Sequence, residues 1–145
     1  MDRIIEFKTH NLKLEFLNID NRLQAVLYAL AGFVNFSYGK PIIITELMRT
    51  QEQQDMYYKE NPAYKENPWQ SVHQYGRGAD ISLKYLLPDE IKGIMDFLNH
   101  FVYSAEKFTG LIHDIGLGNH LHVQVNYSET TILVKDIRVI KEIGV

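Results

Sequence analysis

Two short segments hold most of the residues able to do chemistry. The first is Ser71-Val72-His73-Gln74-Tyr75-Gly76-Arg77-Gly78-Ala79-Asp80. His73 and Asp80 are separated by two glycines, which let the backbone turn back on itself, so an imidazole and a carboxylate can approach one centre. The second is Gly118-Asn119-His120-Leu121-His122-Val123-Gln124-Val125. On a strand, alternation puts His120, His122 and Gln124 on one face and Leu121, Val123 and Val125 on the other. The apolar face would anchor the strand while the imidazoles project from it. With His73 and Asp80 they supply the nitrogen and oxygen donors that Zn2+ prefers. The chain has no cysteine, which excludes thiolate ligands and a disulfide framework. A lone strand histidine is usually a polar surface group, the reading given to His10 and His100. Both segments in one chain make that reading much weaker here.

The elements that must position these groups follow from local patterns. Residues 3–8 and 12–17 alternate weakly and suggest an N-terminal hairpin, with Leu12, Leu14 and Phe16 on one face. Asp20 or Asn21 can cap a helix running to about Tyr38, with Leu23, Val26, Leu27, Leu30 and Val34 as its apolar stripe. Gly39 and Pro41 end it. Ile42-Ile43-Ile44 reads as a short buried strand, and Thr50 can cap a second helix through about Lys59. The stretch Glu60 to Gln74, with Asn61-Pro62 and Asn67-Pro68, reads as a surface loop. Residues 79–83 suit a strand that turns Asp80 and Ser82 to one side. Pro88 starts a third helix, whose Ile91, Ile94, Met95, Leu98, Phe101 and Val102 recur at helical spacing. Strands are expected near 110–114 and 120–126, and a last one over 131–134. Helices first and strands near the end predict an α+β domain, a small antiparallel sheet with helices packed on one side.

At 145 residues the chain is expected to be one domain, 1–145, able to bury a core without help from disulfides. Apolar residues make up 46% and charged residues 23%, which excludes a disordered chain, a coiled coil and a fibre. The net charge of −3, with no run of Lys or Arg, argues against non-specific nucleic-acid binding. Leu23 to Phe36 is too short and too polar, with Gln24 and Asn35, to be a membrane span. The first residues lack the basic start and apolar core of a signal peptide, so a cytoplasmic site of synthesis is expected.

The first segment resembles the Ser-x-His-x-x-Gly-x-Ala-x-Asp motif of the zinc D-Ala-D-Ala carboxypeptidase and L-alanyl-D-glutamate endopeptidase family. It stands here as Ser71, His73, Gly76 and Asp80, with Gly78 where the family has alanine. The His-x-His is similar to the closing motif of the wider group that includes lysostaphin-type enzymes and the hedgehog signalling domain. Upstream, Arg49, Gln54 and Tyr57 fit the family's Arg and Gln-x-x-Tyr stretch. The resemblance covers about 45–125.

The resemblance implies a hedgehog/DD-peptidase-like fold, with His73, Asp80 and His122 holding Zn2+ and a fourth position open to water. Arg49 would stabilise an oxyanion or hold a substrate carboxylate; otherwise it is a surface charge at a helix start. Gln54, Ser71 and Tyr75 would contact substrate. Many relatives place a carboxylate three residues before the last ligand, where this chain has Asn119. His120 is then the first choice for general base, and Asp114 the second. Trp69, Tyr57, Tyr58, Tyr64 and Tyr75 either line a substrate groove or pin a long loop to the body.

The resulting expectation is a monomeric zinc peptidase that cuts the peptide stems of bacterial peptidoglycan, with no nucleic-acid or membrane partner. A phage or prophage lysis enzyme that acts on the wall after release would fit. The competing expectations are a zinc-binding module without catalysis and a phage structural protein with the same fold.

Overall fold

The computed structural model describes residues 3–103, 106–107, 109–114 and 119–126, the side chains of 102–114 aside. Strand β1 (Ile5–Phe7) leads into α1 (His10–Glu15) and a 3-10 turn, Phe16–Asn18. Helix α2 (Asn21–Tyr38) follows, then β2 (Ile42–Glu46), α3 (Gln51–Tyr57) and α4 (Pro62–Glu66). A second 3-10 turn, Val72–Tyr75, precedes β3 (Gly78–Ser82) and α5 (Pro88–His100). The short pair β4 (Val102–Tyr103) and β5 (Glu106–Lys107) comes before β6 (Thr109–Asp114) and β7 (Asn119–Gln124).

The main sheet has the order β1-β2-β3-β7-β6. All neighbours in it are antiparallel except β1 and β2, which run parallel. The domain is therefore α+β as expected, but its sheet is mixed, not antiparallel. The cause is local. Residues 12–17 do not return as the second strand of a hairpin; they form α1 and the turn after it. Leu12, Glu15, Phe16 and Ile19 are buried, a helical spacing that the weak alternation concealed. The chain then crosses over through α2 and re-enters beside β1 in the same direction.

Helix α2 is built as its residues dictate. Asp20 accepts a hydrogen bond from the Arg22 amide at 2.8 Å, and Gly39 closes the helix at φ 66°, a left-handed conformation that suits glycine. Leu23, Val26, Leu27, Leu30 and Val34 are fully buried. They join Ile94 and Leu98 of α5 and the sheet residues Ile44, Ala79, Ile81, Leu121 and Val123 in one core. Burying each such side chain is worth about 1.5–3 kcal/mol before entropy is counted. The apolar alternation of β3 and β7 thus faces this core, and Asp80, Ser82, His120 and His122 emerge on the opposite face of the sheet.

Helix α3 begins at the Thr50 capping box and ends at Tyr57, two residues before the expected Lys59. The expected loop 60–74 contains α4, capped by Asn61, and the second 3-10 turn. The expected strand 131–134 lies outside the described residues. Among the described residues no helix is long and apolar enough to cross a membrane.

Candidate metal centre

His73 is set by the 3-10 turn before β3. Ser71 opens that turn: its Oγ accepts from the His73 amide at 3.2 Å, while its own amide donates to Gln74 Oε1 at 2.9 Å. Gly76, at φ 66°, closes it and redirects the chain into β3. Gly78 then lets the turn lie against the strand. A methyl group at Gly78 would meet Val72 Cγ2 at 2.6 Å and His122 Cε1 at 3.2 Å, so the alanine of the family motif has no room in this packing.

Asp80 and His122 face each other directly across the β3–β7 ladder, and Ser82 faces His120. His73, Asp80 and His122 are 3%, 4% and 6% exposed, and their ligand atoms lie within 4.8 Å of one another. Asp80 Oδ1 is 2.9 Å from His122 Nδ1 and 3.4 Å from His73 Nε2. These lengths bracket the edge of about 3.3 Å of a tetrahedron with zinc–nitrogen bonds of 2.0–2.1 Å.

Each ring also has an outer partner. His73 Nδ1 is 2.9 Å from the carbonyl of Leu47, which can only accept, so Nδ1 carries the proton. His122 Nε2 is 3.0 Å from Gln124 Oε1, which accepts from it in the tautomer that carries the proton on Nε2. In that tautomer the lone pairs of His73 Nε2 and His122 Nδ1 both point at a carboxylate oxygen. Three acceptors that converge in this way require a proton or a cation between them. The two-nitrogen, one-oxygen set, with second-sphere partners already in place, suits a divalent metal ion. Burial pushes the His73 pKa down, but the hydrogen bond to Asp80 and the charges of Glu46 and Asp80 outweigh it and raise the pKa. Burial would raise the Asp80 pKa, yet the hydrogen bonds from His122 and His73 hold it far below the usual carboxylate range.

His120 stands beside this cluster, its Nε2 3.4 Å from Asp80 Oδ2. Both residues line a groove of about 300 Å³, along with Thr45, Glu46, Tyr57 and Asn119. Asp114 pairs with Asn119 at the start of β7, and its side chain lies outside the described residues.

The residues expected to bind substrate are placed differently. Arg49 is 3% exposed, not a surface charge. Its Nε and Nη2 contact Glu46 Oε1 at 2.7 and 2.6 Å, its Nη1 donates to Gln54 Oε1 at 2.7 Å, and the Tyr57 ring covers its face at 4.5 Å. Gln54 is fully buried and also donates to the Trp69 carbonyl. Ser71 caps the His73 turn, and Tyr75 packs under the Arg77 guanidinium at 5.1 Å. The structure brings His73, Asp80, His120 and His122 together. Gln54, Ser71 and Tyr75 are not among the residues that line the groove. Of the aromatic residues, Tyr58, Tyr64 and Trp69 pack on one another with centroids 4.9–5.1 Å apart, which pins the segment, while Tyr57 lines the groove.

Three contributors escaped the sequence reading: Glu46, Gln124 as the partner of His122, and the Leu47 carbonyl. Gln124 had a visible signal, since it shares a strand face with His122. Glu46 had none, because a register irregularity between Ile44 and Glu46 brings it opposite Asp80. No family model matches the chain, and no curated protein or solved structure matches it.

Proposed function

We propose that the chain is a zinc-dependent peptidase acting on peptidoglycan stem peptides, of the D-Ala-D-Ala carboxypeptidase or L-Ala-D-Glu endopeptidase type. The observation that carries this reading is the buried His73, Asp80 and His122 cluster, next to a groove that also holds His120. Zinc bound there would lower the pKa of water toward 7 and polarise a peptide carbonyl. His73 would offer Nε2, with its Nδ1 on the Leu47 carbonyl, and His122 would offer Nδ1, with its Nε2 on Gln124. His120 would move the proton, since Asn119 cannot act as a base at neutral pH. The groove would bind the peptide in an extended form over the polar face of β2.

One observation favours a second reading, a zinc-binding module without catalysis or a phage structural protein built on the same fold. Arg49, the expected oxyanion group, already has three of its five donors engaged by Glu46 and Gln54. Metal analysis paired with mass spectrometry of digested muropeptides separates the two. Wild type is expected to carry about one zinc and to cut one stem-peptide bond. His73→Ala and His122→Ala should lose zinc and cleavage together, while His120→Ala keeps zinc and loses about 10²–10⁴ in rate. Stoichiometric zinc with no cleavage of any stem peptide would establish the second reading. A larger loss in Asp114→Asn than in His120→Ala would transfer the base role.

A further inference from the structure

Two exposed lysines enter the groove from opposite ends of the sheet's polar face. Lys8 follows β1 and Lys84 follows β3; both line the cavity that holds Asp80 and His120. Lys8 also lines a second hollow of about 450 Å³ along β1 and the start of α1, so the two cavities share a wall. Among the described residues neither ammonium group has an ion pair or hydrogen bond. The carboxylates of the groove are differently placed: Glu46 is tied to Arg49, and Asp80 to the imidazoles. Among the described residues that line the groove, the open charge is therefore positive, on a chain whose net charge is −3, and Glu6 lies in the adjoining hollow. Among the described residues β1 is an edge strand, so an extended chain can lie along this side without displacing any of them.

We infer that Lys8 and Lys84 form a carboxylate-recognition subsite on the rim of the metal-centre groove, which selects peptides carrying a free acidic group. The identity of the peptide rests on the peptidase reading; the charge preference does not. Each lysine is a flexible point charge in water, so each contributes modestly. An exposed ion pair contributes up to about 5-fold in affinity.

The test is calorimetric binding to zinc-loaded protein carrying His120→Ala, in which turnover is slowed. The probes are the synthetic pentapeptide L-Ala-γ-D-Glu-L-Lys-D-Ala-D-Ala and the same peptide with both free carboxylates amidated. The acidic peptide should bind about 10-fold tighter than the amide, and the gap should narrow in salt. Lys8→Ala and Lys84→Ala should each weaken the acidic peptide about 2–5-fold and leave the amide unchanged. The double variant should erase the preference, Lys84→Arg should retain it, and Lys92→Ala, on α5, should not alter it. Equal binding of the two peptides, no binding of either, or a preference that survives the double variant overturns the subsite. The two readings fail separately. A lysine-dependent preference with no cleavage by the zinc-loaded parent keeps the subsite and removes the peptidase. Cleavage of both peptides with no lysine dependence does the reverse.

Discussion

Replacing Gln124 with leucine removes the acceptor that holds His122 Nε2 at 3.0 Å, with little change in volume and none in the ligand set. If the ring binds metal through Nδ1, the outer hydrogen bond fixes its tautomer and orientation, and losing such a partner typically costs about 10–100-fold in metal affinity. That ratio corresponds to about 1.4–2.7 kcal/mol. With zinc well above both dissociation constants, the stabilisation by zinc falls by the same amount, because it grows with the logarithm of the concentration over Kd. For 145 residues, an unfolding entropy of about 2.1 cal/mol/K per residue converts 1 kcal/mol into about 3 °C. The zinc-induced rise in Tm should therefore be about 5–9 °C smaller in Gln124→Leu than in wild type. Each protein is melted with excess chelator and again with excess free zinc, so any cost to the metal-free fold cancels. An equal zinc increment in the two proteins would show that His122 does not bind through Nδ1, or that Gln124 does not orient it.

Arg49→Lys should destabilise the metal-free fold by about 1–3 kcal/mol, since an ammonium cannot reproduce the fork that joins Glu46 to Gln54. The check is the Tm in chelator; an unchanged Tm with reduced turnover would return Arg49 to the substrate. At acid pH, Asp20 and Glu90 matter. Burial pushes the Asp20 pKa up, but its hydrogen bonds from Arg22 lower it overall. The Leu87 amide and the Lys40 ammonium lower that of Glu90. Both pKa values are depressed, so the stability they lend is present above their unfolded values near 4 and is lost as pH falls through the folded ones. The Tm advantage of wild type over Asp20→Asn/Glu90→Gln should shrink between pH 6 and pH 3. A pH-independent gap would refute that account.

The parts of this molecule that a sequence discloses are those set by near neighbours. The α2 stripe, its Asp20 cap and its Gly39 stop are written within one stretch, and all five stripe residues are buried. The alternation of residues 119–125 likewise put both imidazoles on one face. What alternation cannot supply is register, and register makes the centre: Asp80 meets His122, and not a neighbour, because β3 and β7 pair as they do. The same dependence on distant pairing hid Glu46, whose approach to Asp80 comes from an irregularity in the β2–β3 ladder. It also hid the direction of β1, which only the crossover through α2 reveals. Arg49 shows a different limit. Its position in a motif suggested a group that meets substrate, but a guanidinium has five donors and a buried one must satisfy them. Glu46 and Gln54, three residues before it and five after, are near enough to take three of them. A buried arginine with acceptors on both sides in sequence is therefore as apt to lock its own loop as to reach into a groove. The cations that line the groove among the described residues are Lys8 and Lys84, just past strand ends that no motif in the chain marks.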